Sequence, residues 1–457
     1  MKVQEFSLNS EDQVVVKVIK EVLALFRIAV GSEEAEYRRM AVVNEQLPGE
    51  PVRVLTRLTL EDAAGQEQSW SLEGIGHPEE REGAAVHRLV KLNFYRLLRA
   101  HCGMPPAPWG ILHGVRPTKI VHRYIAAGMD EAAILQRLAE DYEVGREKAE
   151  LITQLSLRQR PFLAQTDDHT VSIYVGIPFC LSRCLYCSFP AYVLPPADEL
   201  ERFMAVFRRD LAAVAEAVRQ YGFKVQSIYV GGGTPTSLPD VYFSDMLQLV
   251  YTTFYGPSTV EFTVEAGRPD SMSPAKIQTM LDCRVSRVSV NPQSMQEKTL
   301  HRIGRNHTPQ DIVTMYHDLR AAGIPEINMD LIIGLPGETV ADVEDTMRQI
   351  AALRPDDITL HALALKRGSR LKLHLEDFEL PDDETAIAMF AAAMAAVKRL
   401  GLVPYYLYRQ GYQSGQLENI GCCRPGAESM YNIQIMEEHQ TILGIGGSAT
   451  TKVVNPK

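Results

Sequence analysis

Ser172-Ile-Tyr174-Val-Gly-Ile177-Pro-Phe-Cys180-Leu-Ser-Arg-Cys184-Leu-Tyr186-Cys187 joins a short β-branched run to three cysteines spaced Cys-x3-Cys-x2-Cys. The run reads as a buried strand, and the cysteines follow directly on its C-terminal end. Three thiolates in so tight a group suit a four-iron cluster, which is ordinarily held by four protein ligands. Three leave one iron open to a different ligand. S-adenosylmethionine fits there: its amino and carboxylate groups can chelate the iron, and an electron from the cluster then cleaves its sulfonium to a 5′-deoxyadenosyl radical. Two plainer readings compete. A structural zinc site wants a fourth Cys or His at a matching spacing, whereas Ser188-Phe-Pro190 follows Cys187. A disulfide framework suits neither the length of 457 residues nor a chain with seven cysteines and no secretory segment.

With 46% hydrophobic residues, the chain can bury a large core and is expected to form more than one domain. Its start, Met1-Lys-Val-Gln-Glu-Phe-Ser, lacks an apolar signal core. No stretch approaches the roughly 20 apolar residues needed to span a bilayer, so no membrane span and a cytoplasmic, reducing location are expected. The net charge of −10 is spread along the chain, which argues against nucleic acid as a partner.

The pattern changes near residue 165. Before it, Leu55–Leu60 and Gln68–Leu72 read as paired strands around Ala64-Gly65, and Val86, Leu89, Val90, Phe94, Leu97 and Leu98 form a helical stripe. Further helices are expected over Thr118–Ala126 and Glu131–Leu155, with Arg158-Gln-Arg-Pro161-Phe as a linker. Residues 1–165 are therefore read as an N-terminal α+β domain. Within it, Arg116, Lys119 and Arg123 gather near a helix start, either as an anion site or as a solvated helix face.

Beyond that point, strand-like runs at Ser172–Ile177, Ser227–Val230, Thr259–Val264, Ser286–Val290, Ile327–Ile333 and Asp357–Leu363 alternate with helical segments. Ser273-Pro274 and Thr308-Pro309 supply N-caps followed by proline at the first helical position. Thr339 with Asp342 reads as a capping pair, and Leu400-Gly401 as a helix end. Six such units predict an α/β fold, a partial (β/α)6 barrel over 166–375, with 376–457 as a C-terminal extension covering the substrate. Functional residues are then expected at the C-terminal ends of the strands. Gly231-Gly232-Gly233-Thr234-Pro-Thr236 comes directly after the second strand, where it is expected to expose backbone amides to a charged ligand. Glu265 ends the third strand, Gln293 follows the fourth, and Asp330 sits in the fifth just before Gly334-Leu-Pro336-Gly337. A carboxylate suits a ligand ammonium or ribose hydroxyls, and an amide suits hydroxyls; singly, each is equally a polar residue satisfying loop backbone.

These residues carry a family resemblance. Tyr174 to Cys187, Gly231 to Thr236, Arg287-Val-Ser-Val-Asn-Pro-Gln293-Ser294, Ile303-Gly304-Arg305-Asn-His307 and Asn328-Met-Asp330-Leu-Ile-Ile-Gly334-Leu-Pro-Gly-Glu-Thr339 resemble the radical S-adenosylmethionine enzymes of the oxygen-independent coproporphyrinogen III dehydrogenase family. The resemblance covers roughly residues 170 to 450. Gly114-Val-Arg116-Pro-Thr-Lys119-Ile, Tyr405-Tyr-Leu-Tyr-Arg-Gln410 and Leu417-Glu-Asn-Ile-Gly421 resemble the HemZ-like branch in particular.

The resemblance implies a radical SAM barrel and two cofactors, a 4Fe-4S cluster on Cys180, Cys184 and Cys187 and S-adenosylmethionine. It implies that Tyr174 and Tyr186 lie near S-adenosylmethionine, and that Gly232, Gly233, Thr234 and Glu265 meet its methionine moiety. Gln293, Arg305 and Asp330 match further contact positions, Asp330 through ribose, while Ala364 falls near the adenine contact and Thr450 is a further alignment. Tyr174 and Glu265 are the candidates for catalytic roles. The implied reaction is oxidative decarboxylation of two propionates of coproporphyrinogen III to vinyl groups in heme biosynthesis. A tetrapyrrole substrate, an electron donor and an electron acceptor are its partners. The substrate's propionates call for cations, with Arg409 and Lys366-Arg367 as candidates unless these are surface charge.

The chain also departs from the family pattern. It has Phe189 where well-known members have a further cysteine, and Gly176 where they commonly have histidine. These differences bear on the substrate more than on the cluster, because related branches include heme chaperones and heme-degrading methyltransferases. A heme-trafficking protein that keeps the cluster is thus the alternative to the decarboxylase. Cys422-Cys423 in the tail reads as redox-active or as small buried residues.

Overall fold

The computed structural model describes residues 1–366, 368–410 and 414–454. By contact the chain forms two compact units, Met1–Gln154 and Leu155–Lys457.

In the first unit, strands β1 (Lys2–Leu8), β2 (Ala29–Val30), β3 (Tyr37–Leu47), β4 (Arg53–Asp62) and β5 (Glu67–Ile75) make one sheet in the order β2-β1-β3-β4-β5. β4 and β5 are antiparallel, with Leu60 opposite Gln68 across the Ala64-Gly65 turn. Val54, Leu58 and Leu60 of β4 share a core with Leu89, Phe94 and Leu98 of a long helix and with Ile19 and Val22 of an earlier one. These are α2 (Glu82–His101) and α1 (Gln13–Leu25). In β3 the buried Met40 and Val42 stand among Arg38, Arg39, Asn44 and Glu45, so its alternation is weak, whereas α1 carries Val15, Ile19, Val22 and Leu23 as a buried stripe behind the N-cap Asp12. α3 (Thr118–Ala126) carries Lys119 and the exposed Arg123.

The single helix expected over Glu131–Leu155 is two. α4 (Glu131–Tyr142) ends at Glu143, whose φ of 56° is left-handed, and α5 (Arg146–Leu163) begins three residues later. The expected linker Arg158–Phe162 is part of α5. Leu155, Gln159 and Leu163 recur at helical spacing and are all buried, and Gln159 donates to the Tyr405 carbonyl at 3.0 Å. Pro161 removes one backbone donor only near the helix end. The compact units therefore divide within α5, earlier than residue 165.

The second unit is built on a nine-stranded sheet. β6 (Thr170–Ile177) is followed by β7 (Phe179–Cys180) and β8 (Tyr192–Val193), a small parallel ladder in the cysteine loop. Then come β9 (Lys224–Gly232), β10 (Glu261–Glu265), β11 (Arg287–Gln293), β12 (Glu326–Ile333) and β13 (Asp357–Ala362). The six strands β6 and β9 to β13 lie side by side in chain order and all parallel. The connections carry α6 (Ala197–Gln220), α7 (Asp240–Phe254), α8 (Pro274–Asp282), α9 (Glu297–Arg302) with α10 (Pro309–Ala322), and α11 (Val340–Leu353). Ser273 and Thr308 cap α8 and α10 with proline next, and Thr339 with Asp342 forms a capping box on α11. This is the partial barrel that the alternation predicts.

The segment after 375 does not stand off as a separate extension. Following α12 (Arg370–Leu373) and α13 (Asp383–Arg399), β14 (Val403–Tyr408) and β15 (Asn419–Cys423) add antiparallel beyond β13. α14 (Met430–Glu437) leads to β16 (Thr441–Ile445), which pairs with β6 at the opposite edge. Both open edges of the six-stranded core are thereby covered.

At the N-terminal ends of the strands, Arg287, 2% exposed, bonds Asp357, Glu326 at 2.9 Å and the Ala427 carbonyl at 3.0 Å. This buried ionic group ties β11, β12 and β13 together on the face away from the cysteines. Among the described residues, no helix is long and apolar enough to cross a membrane.

Candidate functional site

β6 and β9 pair in register, with Gly176 opposite Gly231 and Ile177 opposite Gly232, so the cysteine loop and the glycine loop leave the sheet side by side. The glycine run does not chiefly expose its amides, as expected from sequence. Gly233 N–H donates to the Ile177 carbonyl at 2.8 Å and Thr234 N–H to the Phe179 carbonyl at 2.7 Å. These amides hold the approach to Cys180. A Cβ at Gly233 would come within 2.5 Å of the Phe179 carbonyl and 3.0 Å of Cys180 Sγ, so only glycine permits this approach.

The far side of the loop is pinned as firmly. Leu185 N–H donates to the Ile303 carbonyl at 2.9 Å, and the Leu185 carbonyl accepts from Leu371 N–H at 3.0 Å. Leu185 and Tyr186 pack on Leu300, Ile303, Ile332 and Leu335. Arg268 Nη1 reaches the Ser182 carbonyl and hydroxyl at 3.0 and 2.8 Å. Arg305 bridges the Tyr186 hydroxyl, at 3.1 Å, and the Gly267 carbonyl, at 2.9 Å. Cys184 is buried, Cys180 and Cys187 are half-buried, and all three are free thiols. Burial raises the pKa of Cys180 and Cys187, and each thiol disfavours ionisation of its neighbours. Opposing this, Thr234 Oγ1 donates to Cys180 Sγ at 3.5 Å, and the charges of Arg268, Arg183 and Arg305 favour the thiolates.

Across the sheet, Tyr174 stacks with Tyr229 and Tyr431, whose ring centroids lie 6.0 and 6.1 Å away. Tyr229 donates to Glu265 Oε1 at 2.7 Å. Burial pushes the Glu265 carboxyl up to about 7; the Asp330 charge adds to this, while the Tyr229 hydroxyl and the Gly232 amide oppose it. For Asp330, burial also works against the charge. The nearby His361 ring and its charge, the Asn328 hydrogen bond and the Thr359 hydroxyl nevertheless hold its carboxyl below the ordinary value. Asn328 Nδ2 lies 2.7 Å and His361 Nε2 3.7 Å from it. Gln293 has a left-handed φ of 65°, and its buried Oε1 has no hydrogen-bond partner. Strain and an orphaned acceptor at one residue point to a ligand.

Ala364 follows β13 and is half-buried. Thr450 is exposed, its backbone packed against Gly444. The residue of that turn which reaches the site is Ser448, whose Oγ lies within 2.6 and 2.8 Å of where Cβ atoms on Gly176 and Gly232 would stand. Tyr229, Arg268, His361 and Ser448 were missed by sequence reasoning. For Tyr229 the signal was there: it stands two residues before Gly231 and so shares that strand face. Of the propionate candidates, Arg409 is half-buried, and burial lowers its pKa to about 10 against the charge of Glu418. Lys366 is exposed, and Arg367 lies outside the described residues. Cys422 and Cys423 are each fully buried in β15, where burial raises both thiols, as small core residues.

The donor set fits a cluster with S-adenosylmethionine. Three thiols sit among guanidinium groups, a glycine leaves no room for a side chain beside Cys180, and Glu265 and the orphaned Gln293 Oε1 offer acceptors suited to an ammonium or hydroxyls.

Comparison with known proteins points the same way. Residues 174–350 match the radical SAM superfamily. The chain is 39% identical over 375 residues to the oxygen-independent coproporphyrinogen-III oxidase-like protein HemZ of Bacillus subtilis (strain 168), covering 81% of this chain and 74% of that protein. It is 26% identical to the heme chaperone HemW of the same organism, over 61% of this chain and 70% of that one. The crystal structure of the Escherichia coli coproporphyrinogen III oxidase HemN, a radical SAM enzyme, superposes with a TM-score of 0.52 at 20% identity, over 65% of this chain and 67% of that one. That likeness is one of fold.

Proposed function

Because the chain belongs to the radical S-adenosylmethionine superfamily, in the family of the coproporphyrinogen-III oxidase-like protein HemZ, we propose that it is an enzyme that oxidatively decarboxylates propionate side chains of coproporphyrinogen III, giving protoporphyrinogen IX. The cofactors are a 4Fe-4S cluster and S-adenosylmethionine, which when bound supply the one-electron chemistry that breaks an unactivated C–H bond. The observation that carries the reading is that the three thiols follow one strand of a parallel set on which Glu265 and Gln293 stand at the C-terminal ends of theirs and Asp330 three residues before the end of β12.

Cys180, Cys184 and Cys187 would hold the cluster as thiolates, so loading releases their protons. Arg268 and Arg305 keep the loop in place and offset its negative charge. Glu265, ionising near neutrality, would accept a hydrogen bond from the ligand's amino group and give up its proton in doing so. Asp330, already ionised, and Gln293 Oε1 would accept from ribose hydroxyls, with Ala364 beside the base. Tyr174, Tyr229 and Tyr431 wall this side of the site and exclude water. The chain's task is to place a substrate carbon and keep it there. Each propionate loses carbon dioxide, and an acceptor takes the electron released.

A second reading, heme trafficking without turnover, is favoured by the likeness to the heme chaperone. Protein reconstituted without oxygen and given S-adenosylmethionine, a reductant and coproporphyrinogen III separates the two. Protoporphyrinogen formed together with 5′-deoxyadenosine is the expected result. Stable heme binding with no substrate-dependent product would reject the enzyme.

A further inference from the structure

The sequence run Ile303-Gly304-Arg305-Asn306-His307 puts Arg305 on the cysteine loop but leaves His307 without a task. His307 is 7% exposed, and neither ring nitrogen has a hydrogen-bond partner. It lines a cavity of about 780 Å³ that opens between α8 and α10 on the helical layer. That volume lies within the range of small-molecule sites. Ile277 and Leu281 of α8 and Met315 of α10 form its apolar walls.

Charge selects the ligand. Among the described residues lining the cavity there are carboxylates but no lysine or arginine. Asp270 is committed to Arg268, at 2.6 and 2.9 Å, and Asp311 to the N-cap of α10. Asp318, one helical face along from Asp311 and Met315, is left to meet a ligand charge. Burial and the charges of Arg305 and Arg268 push His307 down to about 4, although Asp270 opposes them. Its ring is therefore neutral and presents one lone pair and one N–H, neither with a partner. An anion meets carboxylates and no lysine or arginine on the lining, and an uncharged apolar molecule leaves both ring nitrogens unpaired.

We propose that this cavity binds a small organic cation, its apolar body between α8 and α10 and its N–H group donating to His307. None of the residues proposed for the cofactors lines it, so this site stands or falls independently of the decarboxylase reading.

The test uses the full-length apo-protein and phenethylamine as probe, with 2-phenylethanol and phenylacetate as the neutral and anionic controls, followed by ligand-observed NMR titration. Phenethylamine is expected to bind about tenfold more tightly than the alcohol, the scale of a hydrogen bond from a charged donor, and phenylacetate not at all. His307→Leu should weaken the amine by about tenfold. Ala321→Trp, at an exposed lining position on α10, should block it by filling the cavity, and it keeps the test decisive if the histidine variant fails to fold. Equal binding of all three probes, no amine binding, or amine binding untouched by Ala321→Trp would overturn the proposal.

Discussion

Replacing Glu265 by Gln removes a carboxyl whose pKa burial raises from 4.5 to about 7, while still offering the Tyr229 hydroxyl an oxygen to donate to. The folded protein holds this proton up to about neutrality, and the unfolded chain loses it near 4.5. Below 4.5 both states carry the proton and the site costs nothing. Between 4.5 and 7 stability falls as pH rises, and above 7 the penalty is complete. A shift of this size sets an upper bound of about 3 kcal/mol, at about 1.4 kcal/mol for each tenfold change in proton affinity. Glu265 is partly exposed, so solvent screening brings the expectation down to about 1–2 kcal/mol. Guanidinium unfolding of the apo-protein should therefore find Glu265→Gln more stable than the parent by that amount at pH 8, with the difference vanishing towards pH 4.5. The same variant should lose affinity for S-adenosylmethionine, and the parent's affinity should rise as pH increases through 7, because the ionised carboxylate is the better acceptor for the ligand's amino N–H. Tyr229→Phe, which removes a bond that favours ionisation, should move that midpoint upward. A glutamine variant with the same stability difference at both pH values would refute the reasoning.

Cys184→Ala should lose the iron content and brown absorbance of the reconstituted protein while leaving far-UV circular dichroism unchanged; full iron retention would defeat the cluster assignment. Gly233→Ala should also load poorly, because its Cβ cannot fit 2.5 Å from the Phe179 carbonyl without displacing Cys180; iron and sulfide analysis reads this directly. Asp357→Asn, which leaves the buried Arg287 short of an anionic partner, should destabilise the second unit by about 3–5 kcal/mol in the same denaturation assay, without a specific effect on iron loading in the folded fraction.

Much of the site was legible because its residues lie at strand ends that local periodicity marks. Cys180, Glu265 and Gln293 each follow or end a β-branched run and Asp330 sits late in one, and parallel pairing in chain order brings such ends to one side. The misreadings have a common cause. Pro161 looked like a break, yet Gln159 is held by a carbonyl 246 positions away. The glycine amides looked free, yet their acceptors sit in the neighbouring loop. β16, which completes the edge beside β6 and delivers Ser448 to the glycines, carries no local mark of its destination.

The sequence by itself determined the kind of chemistry, since three thiols at Cys-x3-Cys-x2-Cys are a property of covalent spacing, and it determined the six-unit core, since strand and helix periods are local. Only the tertiary structure decided how the loop is held, that Glu265 ionises near neutrality, that Gln293 keeps an unpaired acceptor, and that the C-terminal strands close both edges. Those outcomes depend on burial and on partners brought together from distant parts of the chain.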